Sequence, residues 1–225
     1  MFDPVSWGFS WQFFLAAIGV GYLIGAIPFG LILTHLAGKG DIRAIGSGNI
    51  GATNVLRTGS KKLAIATLLL DAAKGGVVVA IGSYYFGQDI GWLAGLGAFL
   101  GHLFPIWLKF KGGKGVATSL GILFAIDITV GAATTATWLA TALLFKYSSL
   151  AALVSLALAP LFGFFFIGIQ ALKFIAILSV ISWIRHGDNI ARLIKGQESK
   201  INLSKYTASG PSKQADSPSS DDATG

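Results

Sequence analysis

Long apolar stretches follow one another along most of this chain, and a short polar segment separates each from the next. A helix needs about 20 apolar residues to cross a bilayer core of roughly 30 Å, and most of these stretches approach or exceed that length. Of the 225 residues, 53% are hydrophobic and 12% are charged. A soluble domain usually carries about twice that charged fraction. The sequence therefore predicts an all-α polytopic integral membrane protein.

Seven transmembrane helices are predicted. The first, Trp11 to Ala37, is too long for a cleaved signal peptide, and Pro28 should kink it. Asp127 divides the region 116–145 into two short helices joined by a tight turn. The other predicted spans are 63–86, 91–108, 150–166 and 172–184. Treating 116–145 as one helix would place Lys146 on the side of the membrane opposite to the other basic segments. Seven spans are therefore favoured, and five or six are the alternatives.

The charges are distributed unequally between the two ends of the predicted bundle. One side carries the basic segments 39–62 and 109–114, Lys146, and the chain from Arg185 onward. The positive-inside rule makes this side cytoplasmic, so the N-terminus lies outside and the C-terminus inside. The net charge of +7 then faces a membrane surface, and no nucleic-acid partner is expected. Residues 1–205 are predicted to form the membrane domain, and 206–225, rich in Ser, Pro, Asp and Gly, a disordered tail.

The first unusual polar segment runs from Ile45 to Lys62, IGSGNIGATNVLRTGSKK. Glycines at 46, 48 and 51 permit positive φ angles and bring backbone N–H groups close to a ligand. Short polar side chains and one guanidinium add donors suited to phosphate: Ser47, Asn49, Thr53, Asn54 and Arg57. Ala52 stands where a nucleotide-binding P-loop requires lysine, which excludes that motif. The alternative is an ordinary glycine-rich loop between two membrane helices.

Two further polar segments lie on the same predicted face. In Lys109–Thr118, Lys114 stands among three glycines and is predicted to bind a ligand, whereas Lys109 and Lys111 are expected to contact lipid headgroups. Arg185–Glu198 is predicted to form a short interfacial helix, on which His186 and Asn189 share one face. Three such elements indicate an anionic, phosphorylated substrate, and the surrounding spans suit a lipid-like one.

Other observations limit the chemistry. Asp71 and Lys74 share a face of the second span, and they are either functional or a structural ion pair. The chain has no cysteine, and its sequence shows no metal-binding motif, so no metal or cofactor is expected. It also lacks a Gly-x-Ser-x-Gly elbow and the His-x-x-x-x-Asp motif of the common glycerolipid acyltransferases.

These polar segments together resemble the bacterial acyl-phosphate:glycerol-3-phosphate acyltransferases (the PlsY family) over about residues 13–198. The matching motifs are Ser47-Gly-Asn-x-Gly-Ala-Thr-Asn54 with Arg57, Gly101-His-x-Phe-Pro105 continuing to Gly112-Gly-Lys-Gly-Val-Ala-Thr118, His186-x-x-Asn-Ile190 with Arg192 and Gly196-x-Glu198, and Asp71-x-x-Lys-Gly75. Two positions depart from the family pattern. Ile50 stands in place of a common proline, and Gly187 in place of an arginine, so one cation of the third motif is either absent or replaced by Arg185.

The resemblance implies a seven-span bundle in the bacterial inner membrane, with its active site on the cytoplasmic face. It implies transfer of a fatty acyl group from acyl phosphate to the 1-hydroxyl of glycerol 3-phosphate, giving lysophosphatidic acid and phosphate. This is the first acylation step of phospholipid synthesis. It needs no cofactor, and a soluble enzyme that forms acyl phosphate would be the functional partner. A membrane transporter of a small organophosphate is the alternative, although such folds usually contain internal repeats, and no convincing repeat is found here.

The resemblance also assigns roles to residues. His186, Asn189 and Ser47 are the expected catalytic residues. The residues expected to bind substrate phosphates and glycerol are Gly48, Asn49, Gly51, Thr53, Asn54, Arg57, Lys114, Ser149 and Glu198. The first segment would hold one phosphate, and Arg57, Lys114 and Asn189 the other. His186 and a serine at 148 or 149 would surround the glycerol. Either His186 or the phosphate of the acyl donor would accept the hydroxyl proton.

Overall fold

The computed structural model describes residues 11–201, so the predicted tail at 206–225 lies outside the described residues. Between residues 11 and 201 the regular structure is entirely helical. The helices are α1 (Trp11–Gly25), α2 (Phe29–Leu36), α3 (Ala52–Val55), α4 (Lys61–Phe86), α5 (Gln88–Leu103), α6 (Val116–Ile126), α7 (Ile128–Phe145), α8 (Ser148–Phe166), α9 (Ile169–Arg185) and α10 (Gly187–Ile194). Short 3₁₀ turns lie at Ile42–Ala44, Leu56–Thr58 and Ile106–Leu108.

Five segments of the described chain are long and apolar enough to cross a membrane. They are Trp11–Leu36, Lys61–Phe86, Gln88–Leu108, Ile128–Phe145 and Ser148–Phe166. The bent pair α9 and α10 makes a sixth when it is counted as one span. The one predicted span that is not among these six is the fourth in chain order. It corresponds to α6, whose 11 residues rise only about 16 Å. The structure thus supports a polytopic helical membrane protein with five or six candidate spans, and the count of seven stays a prediction.

The first span is broken at Pro28, as predicted. α1 ends at Gly25 and α2 begins at Phe29, because proline cannot supply the N–H that a continuous helix needs. Two carbonyl groups at this break find partners on other helices. The Trp107 indole donates to the Ala26 carbonyl at 2.7 Å, and the Lys74 ammonium donates to the Ile27 carbonyl at 2.8 Å. The break is therefore compatible with membrane depth because its polar backbone is satisfied.

α1 and α5 pack with their backbones close together, at a surface made of small residues. A Cβ added to Gly25 would lie 2.0 Å from the Ala98 carbonyl oxygen, and one added to Gly101 would lie 2.1 Å from the Tyr22 carbonyl oxygen. Only glycine permits this approach, which is the usual way that membrane helices gain van der Waals contact. The contact positions the end of α5 and the loop that follows it.

The predicted turn at Asp127 is confirmed. Its carboxylate accepts hydrogen bonds from the backbone N–H groups of Thr129 (2.7 Å) and Val130 (3.0 Å), so it caps the first turn of α7. α6 and α7 consequently form an antiparallel hairpin. α6 has 11 residues and α7 has 18, so the loop that precedes α6 ends beside α7, where Gly113 and Gly115 are buried.

Asp71 and Lys74 form a buried ion pair on α4, with 2.6 Å between the ammonium and a carboxylate oxygen. The His102 Nδ1 lies 3.6 Å from the same carboxylate. Lys74 also bonds the Ile27 carbonyl and lies 5.6 Å from the centroid of the Phe29 ring. These contacts give Lys74 a structural role at the break in the first span.

Replacing Lys74 with methionine is therefore expected to lower the free energy of unfolding by about 3–5 kcal/mol, because Asp71 is left buried without its partner. Thermal unfolding of the purified protein in detergent measures this loss. Lys173→Met, at an exposed position on α9, is the control. The double variant Asp71→Asn with Lys74→Met should recover part of the loss. Equal midpoints for Lys74→Met and Lys173→Met would contradict the assignment.

Candidate active site

The first polar segment is organised by Asn54, whose side chain is 2% exposed. Its amide nitrogen donates to the Ile42 carbonyl at 2.7 Å, and its oxygen accepts from the Ser47 backbone N–H at 3.2 Å. Gly46 adopts φ +57°, and a Cβ there would lie 1.9 Å from an Arg57 guanidinium nitrogen. Asn54 thus holds the loop in shape, and glycine at 46 leaves room for Arg57.

The expectation of a left-handed backbone is confirmed at two of the three glycines. Gly46 and Gly48 have φ +57° and +67°. Gly51 has φ −82° and ψ 168°, an extended conformation that other residues adopt, so the expectation was wrong there. Gly51 immediately precedes the short helix α3, and this position determines its backbone.

Arg57 and Thr53 connect the first segment to distant parts of the chain. The Arg57 Nη2 donates to the Ser199 hydroxyl at 2.6 Å, and the Thr53 and Ser148 hydroxyls lie 3.0 Å apart. Ser199 belongs to residues 197–201, here called the C-terminal strap. The Ile201 backbone N–H donates to the Lys146 carbonyl at 2.7 Å, which fixes the end of the strap. The strap therefore lies beside the first segment and the start of α8.

The second polar segment is held between α5 and α9. The Gly112 and Gly113 N–H groups donate to the carbonyls of Leu103 (3.1 Å) and His102 (3.0 Å). A Cβ added to Gly113 would lie 2.0 Å from the His102 Nε2, so the loop passes directly against the imidazole. On the other side, the Ser182 hydroxyl donates to the Lys114 carbonyl at 2.8 Å. These contacts fix the backbone that carries Lys114.

Lys114 begins a chain of hydrogen bonds across the site. Its ammonium donates to the Asn189 side-chain oxygen, and the Asn189 amide nitrogen donates to Glu198 at 2.9 Å. Glu198 also pairs with Arg192 at 2.8 Å. Burial, followed by the positive charge of Arg192, lowers the pKa of Lys114 from 10.5 to about 8. Lys114 is therefore still mainly a cation at pH 7, although it is easier to deprotonate than a surface lysine.

His186 lies at the junction of α9 and α10 and is 2% exposed. Its Nδ1 is 2.7 Å from the Ser182 carbonyl. Because a carbonyl only accepts, Nδ1 carries the proton and Nε2 is left as a hydrogen-bond acceptor. Burial lowers the pKa of His186 from 6.5 to about 4, with a further contribution from Lys114, while the Ser182 hydrogen bond opposes the shift. At pH 7 the imidazole is neutral.

One cavity of about 250 Å³ brings these groups together. All of the residues predicted for the site line it, except Gly48: Ser47, Asn49, Gly51, Thr53, Asn54, Arg57, Lys114, Ser149, His186, Asn189 and Glu198. Ser148 and Ser149 both line the cavity. Ser149 is buried, and within residues 11–201 its hydroxyl has no hydrogen-bond partner. The catalytic and binding roles of these residues stay predictions.

The cavity also has an apolar part. Side chains from four helices form it: Leu68 of α4, Val116, Ala117 and Leu120 of α6, Leu139 of α7 and Ala152 of α8. Of these, Leu68 and Leu139 are 43% and 50% exposed. The cavity can thus bind a polar headgroup near the loops and an alkyl chain along the helices.

Several cavity residues were not predicted as site residues: Asp71, His102, Thr135, Trp138, Ser199 and Lys200. Of the two alternatives for the arginine missing at 187, the position of Arg185 does not favour replacement. Arg185 donates to the Gly112 and Gly113 carbonyls, and its guanidinium lies 5.3 Å from the centroid of the Phe104 ring. Lys200, on the strap, is an additional cation at the cavity wall. No sequence motif predicted this position, because Lys200 reaches the cavity only through the tertiary fold of the strap.

No group of three or more His, Cys, Asp or Glu side chains in the described part of the chain is arranged to hold a metal ion. The site instead contains a lysine, an arginine, a neutral histidine and several amide and hydroxyl groups beside an apolar groove. This combination of groups in a helical membrane protein suits a phosphorylated, lipid-like ligand.

Comparison with known proteins identifies the family. The family model described as "Glycerol-3-phosphate acyltransferase" matches residues 15–196, so the chain belongs to the glycerol-3-phosphate acyltransferase family. It is 57% identical over 201 residues to the glycerol-3-phosphate acyltransferase of Sinorhizobium fredii, covering 86% of this chain and 97% of the relative. It is 55% identical over 196 residues to that of Rhodospirillum rubrum, covering 84% and 91%.

Solved structures agree with this assignment. The chain matches a crystal structure of PlsY (YgiH), an integral membrane glycerol 3-phosphate acyltransferase, in its glycerol 3-phosphate form, with a TM-score of 0.82 and 36% identity. That match covers 87% of this chain and 99% of the solved one. The lysophosphatidic acid form of PlsY matches with a TM-score of 0.77 and 34% identity, over 86% and 98% of the two chains. The family resemblance predicted from the three motifs is thereby confirmed.

Proposed function

We propose that this protein transfers a fatty acyl group from acyl phosphate to the 1-hydroxyl of sn-glycerol 3-phosphate. The products are lysophosphatidic acid and inorganic phosphate, in the first acylation step of phospholipid synthesis. The observation that carries the proposal is the cavity in which Lys114, Arg57 and His186 lie beside an apolar groove. The related PlsY structures in glycerol 3-phosphate and lysophosphatidic acid forms support the acceptor and the product.

The chemistry requires two anions to be held side by side. The first polar segment binds the phosphate of the acyl donor through its backbone N–H groups and the Ser47 hydroxyl. Lys114, Arg57 and Asn189 bind the phosphate of glycerol 3-phosphate. Ser149, whose hydroxyl is buried and unpaired within the described chain, bonds the glycerol. The rate gain comes from positioning and fixed charge, because a phosphate bound to an acyl group is already a good leaving group.

The acceptor hydroxyl attacks the acyl carbonyl carbon, and the bond from that carbon to the donor phosphate oxygen breaks. The hydroxyl proton leaves with the phosphate. A pKa of about 4 makes His186 a weak base at neutral pH, so we assign the proton to the departing phosphate. His186 then orients glycerol 3-phosphate by accepting, at Nε2, a hydrogen bond from its 2-hydroxyl, which leaves the proton of the attacking 1-hydroxyl free to pass to the phosphate.

The proposed topology has seven spans, with the N-terminus outside and the C-terminus in the cytoplasm. It adds α6 and α9 as short spans to the five longer segments, and it places the three polar segments on the cytoplasmic side with the basic residues. The bacterial relatives indicate the inner membrane as the location. A soluble enzyme that forms acyl phosphate would supply the donor from the cytoplasm.

Phosphate release from palmitoyl phosphate, measured with and without glycerol 3-phosphate, tests the proposal. We expect release to depend on glycerol 3-phosphate. Arg57→Ala should raise the KM for glycerol 3-phosphate by about 10- to 150-fold, because a charged hydrogen bond contributes about 1.5–3 kcal/mol. Arg43→Ala is the matched control, since Arg43 lies in the same loop region but pairs with exposed Asp41.

Two results would count against this function. A well-folded wild-type protein that released no phosphate would exclude acyl transfer from acyl phosphate. Uptake of organophosphates into vesicles would then be measured. If Arg57→Ala changed only the KM for the acyl donor, the activity would stand, and Arg57 would bind the other phosphate.

A further inference from the structure

Two polar side chains on α7 face the cavity without any role in the site described so far. Thr135 and Trp138 both line it. Within residues 11–201, the Thr135 hydroxyl and the Trp138 indole N–H are buried and have no hydrogen-bond partner. An indole N–H can only donate, and a buried donor without an acceptor costs about 1–3 kcal/mol. Such a pair on a cavity wall indicates a ligand with an acceptor oxygen.

Three other threonines of α7 differ from Thr135 in how their hydroxyl groups are satisfied. Thr134, Thr137 and Thr141 each donate to the backbone carbonyl four residues earlier, at 2.8–2.9 Å. That bond is the usual way for a threonine in a membrane helix to satisfy its hydroxyl. Thr135 does not make it. Its hydroxyl is therefore available to a group inside the cavity.

The hairpin geometry places these donors close to the reacting groups. Val116 and Trp138 are each eleven residues from the turn at Asp127 (127 − 116 and 138 − 127), so they lie at about the same depth. Lys114 is two residues before Val116. Helical side chains lean toward the N-terminus of their helix, so the Trp138 indole leans toward the turn that carries Thr135. Both donors thus line the cavity close to the depth of Val116, where its apolar lining begins after Lys114.

In the proposed reaction, this boundary is where the acyl carbonyl lies, because the carbonyl joins the phosphate to the alkyl chain. We propose that the Trp138 N–H and the Thr135 hydroxyl donate hydrogen bonds to the carbonyl oxygen of the acyl donor and stabilise the oxyanion that forms on it. This inference rests on the proposed function. It makes Trp138 and Thr135 catalytic residues that the sequence motifs do not include.

The role of these two donors follows from the negative charge that develops on the carbonyl oxygen during acyl transfer. When the glycerol hydroxyl oxygen bonds to the carbonyl carbon, the π electron pair of the carbonyl moves onto its oxygen. The pair returns when the bond to phosphate breaks, and the hydroxyl proton leaves on the phosphate. A donor fixed near that oxygen is most useful while the negative charge exists, so its loss lowers kcat more than it raises KM.

Kinetics of Trp138→Phe and Thr135→Val test the proposal. Trp138→Phe removes the N–H and keeps an aromatic ring, and we expect kcat to fall about 10²-fold. Thr135→Val keeps the side-chain shape, and kcat should fall about 10-fold. The KM for glycerol 3-phosphate should change less than 3-fold in both variants. Thr137→Val and Trp92→Phe are the controls, because neither side chain lines the cavity.

A binding measurement separates this role from a structural one. A long-chain 2-oxoalkyl phosphonate presents the carbonyl without a leaving group, whereas the matching alkyl phosphonate lacks it. We expect the wild-type protein to prefer the carbonyl compound about 10-fold and Trp138→Phe to lose the preference. If both proteins showed the same preference, or if kcat matched that of the controls, the oxyanion role would be overturned. A wild-type protein inactive on acyl phosphate would refute the proposed function instead.

Discussion

Replacing His186 with alanine is expected to lower kcat about 10²-fold, with a much smaller change in the KM for the acyl donor. The reason is the fixed orientation of the imidazole. Nδ1 donates to the Ser182 carbonyl, so Nε2 is left to accept a hydrogen bond from the 2-hydroxyl of glycerol 3-phosphate and so to align the attacking 1-hydroxyl. Loss of a group that aligns the reacting atoms typically costs about this factor. Phosphate release at saturating concentrations of both substrates measures it.

A glutamine at the same position distinguishes orientation from proton transfer. An amide oxygen can accept a hydrogen bond, but it is too weak a base to take the proton at neutral pH. His186→Gln is therefore expected to retain a kcat within about 10-fold of the wild-type value. His35→Ala, at an exposed position on α2, is the control. If glutamine were as inactive as alanine, His186 would be the proton acceptor, and the assignment of the proton to the phosphate would be wrong.

Lys114→Ala is expected to raise the KM for glycerol 3-phosphate by roughly 30- to 150-fold at pH 7. These factors correspond to about 2–3 kcal/mol for a charge-assisted hydrogen bond. The substitution also removes the donor that holds the Asn189 side chain. Lys111→Ala, an exposed neighbour with no contact to the cavity, should leave the KM unchanged. A KM within 3-fold of wild type for Lys114→Ala would exclude Lys114 from the phosphate site.

The pH dependence of kcat/KM in the wild-type protein tests independently whether Lys114 binds the phosphate of glycerol 3-phosphate. The pKa of Lys114 is lowered to about 8, so the ammonium is present below that pH and is lost as the pH rises through it. kcat/KM for glycerol 3-phosphate, which reports the free enzyme, should therefore decline above about pH 8. Lys114→Arg keeps its charge throughout this range and should not show the decline. An identical alkaline limb in both proteins would place the titrating group elsewhere.

Most of the site could be predicted from the sequence, because the site residues lie in polar motifs at the ends of membrane helices. Once the positive-inside rule places three polar segments on one face, their side chains are already restricted to a small area. His186 and Asn189 were predicted to share a helix face, and both line the cavity. The structural role of Asn54 was not apparent, because an amide that binds phosphate and one that holds a loop have the same sequence pattern.

The length of α6 shows the limit of a prediction based on hydropathy. The apolar region 116–145 was correctly divided at Asp127, because aspartate caps the following helix. Its two halves are unequal, however, with 11 residues in α6 and 18 in α7. Hydropathy measures how apolar a segment is, and it cannot show that Gly112–Lys114 would be held inside the bundle by His102 and Ser182. That placement brings Lys114 to the depth of Trp138.

The sequence by itself determined that this is a helical membrane protein of the glycerol-3-phosphate acyltransferase family, because hydropathy and local motifs act over short stretches of chain. It also supplied nearly all of the polar groups of the site. Only the tertiary structure decided which of them are free to bind a ligand. Arg185 donates to loop carbonyls, whereas Trp138 and Thr135 line the cavity with donors that have no partner within residues 11–201. The pairing of a buried polar group depends on neighbours distant in sequence, and only packing brings those neighbours into place.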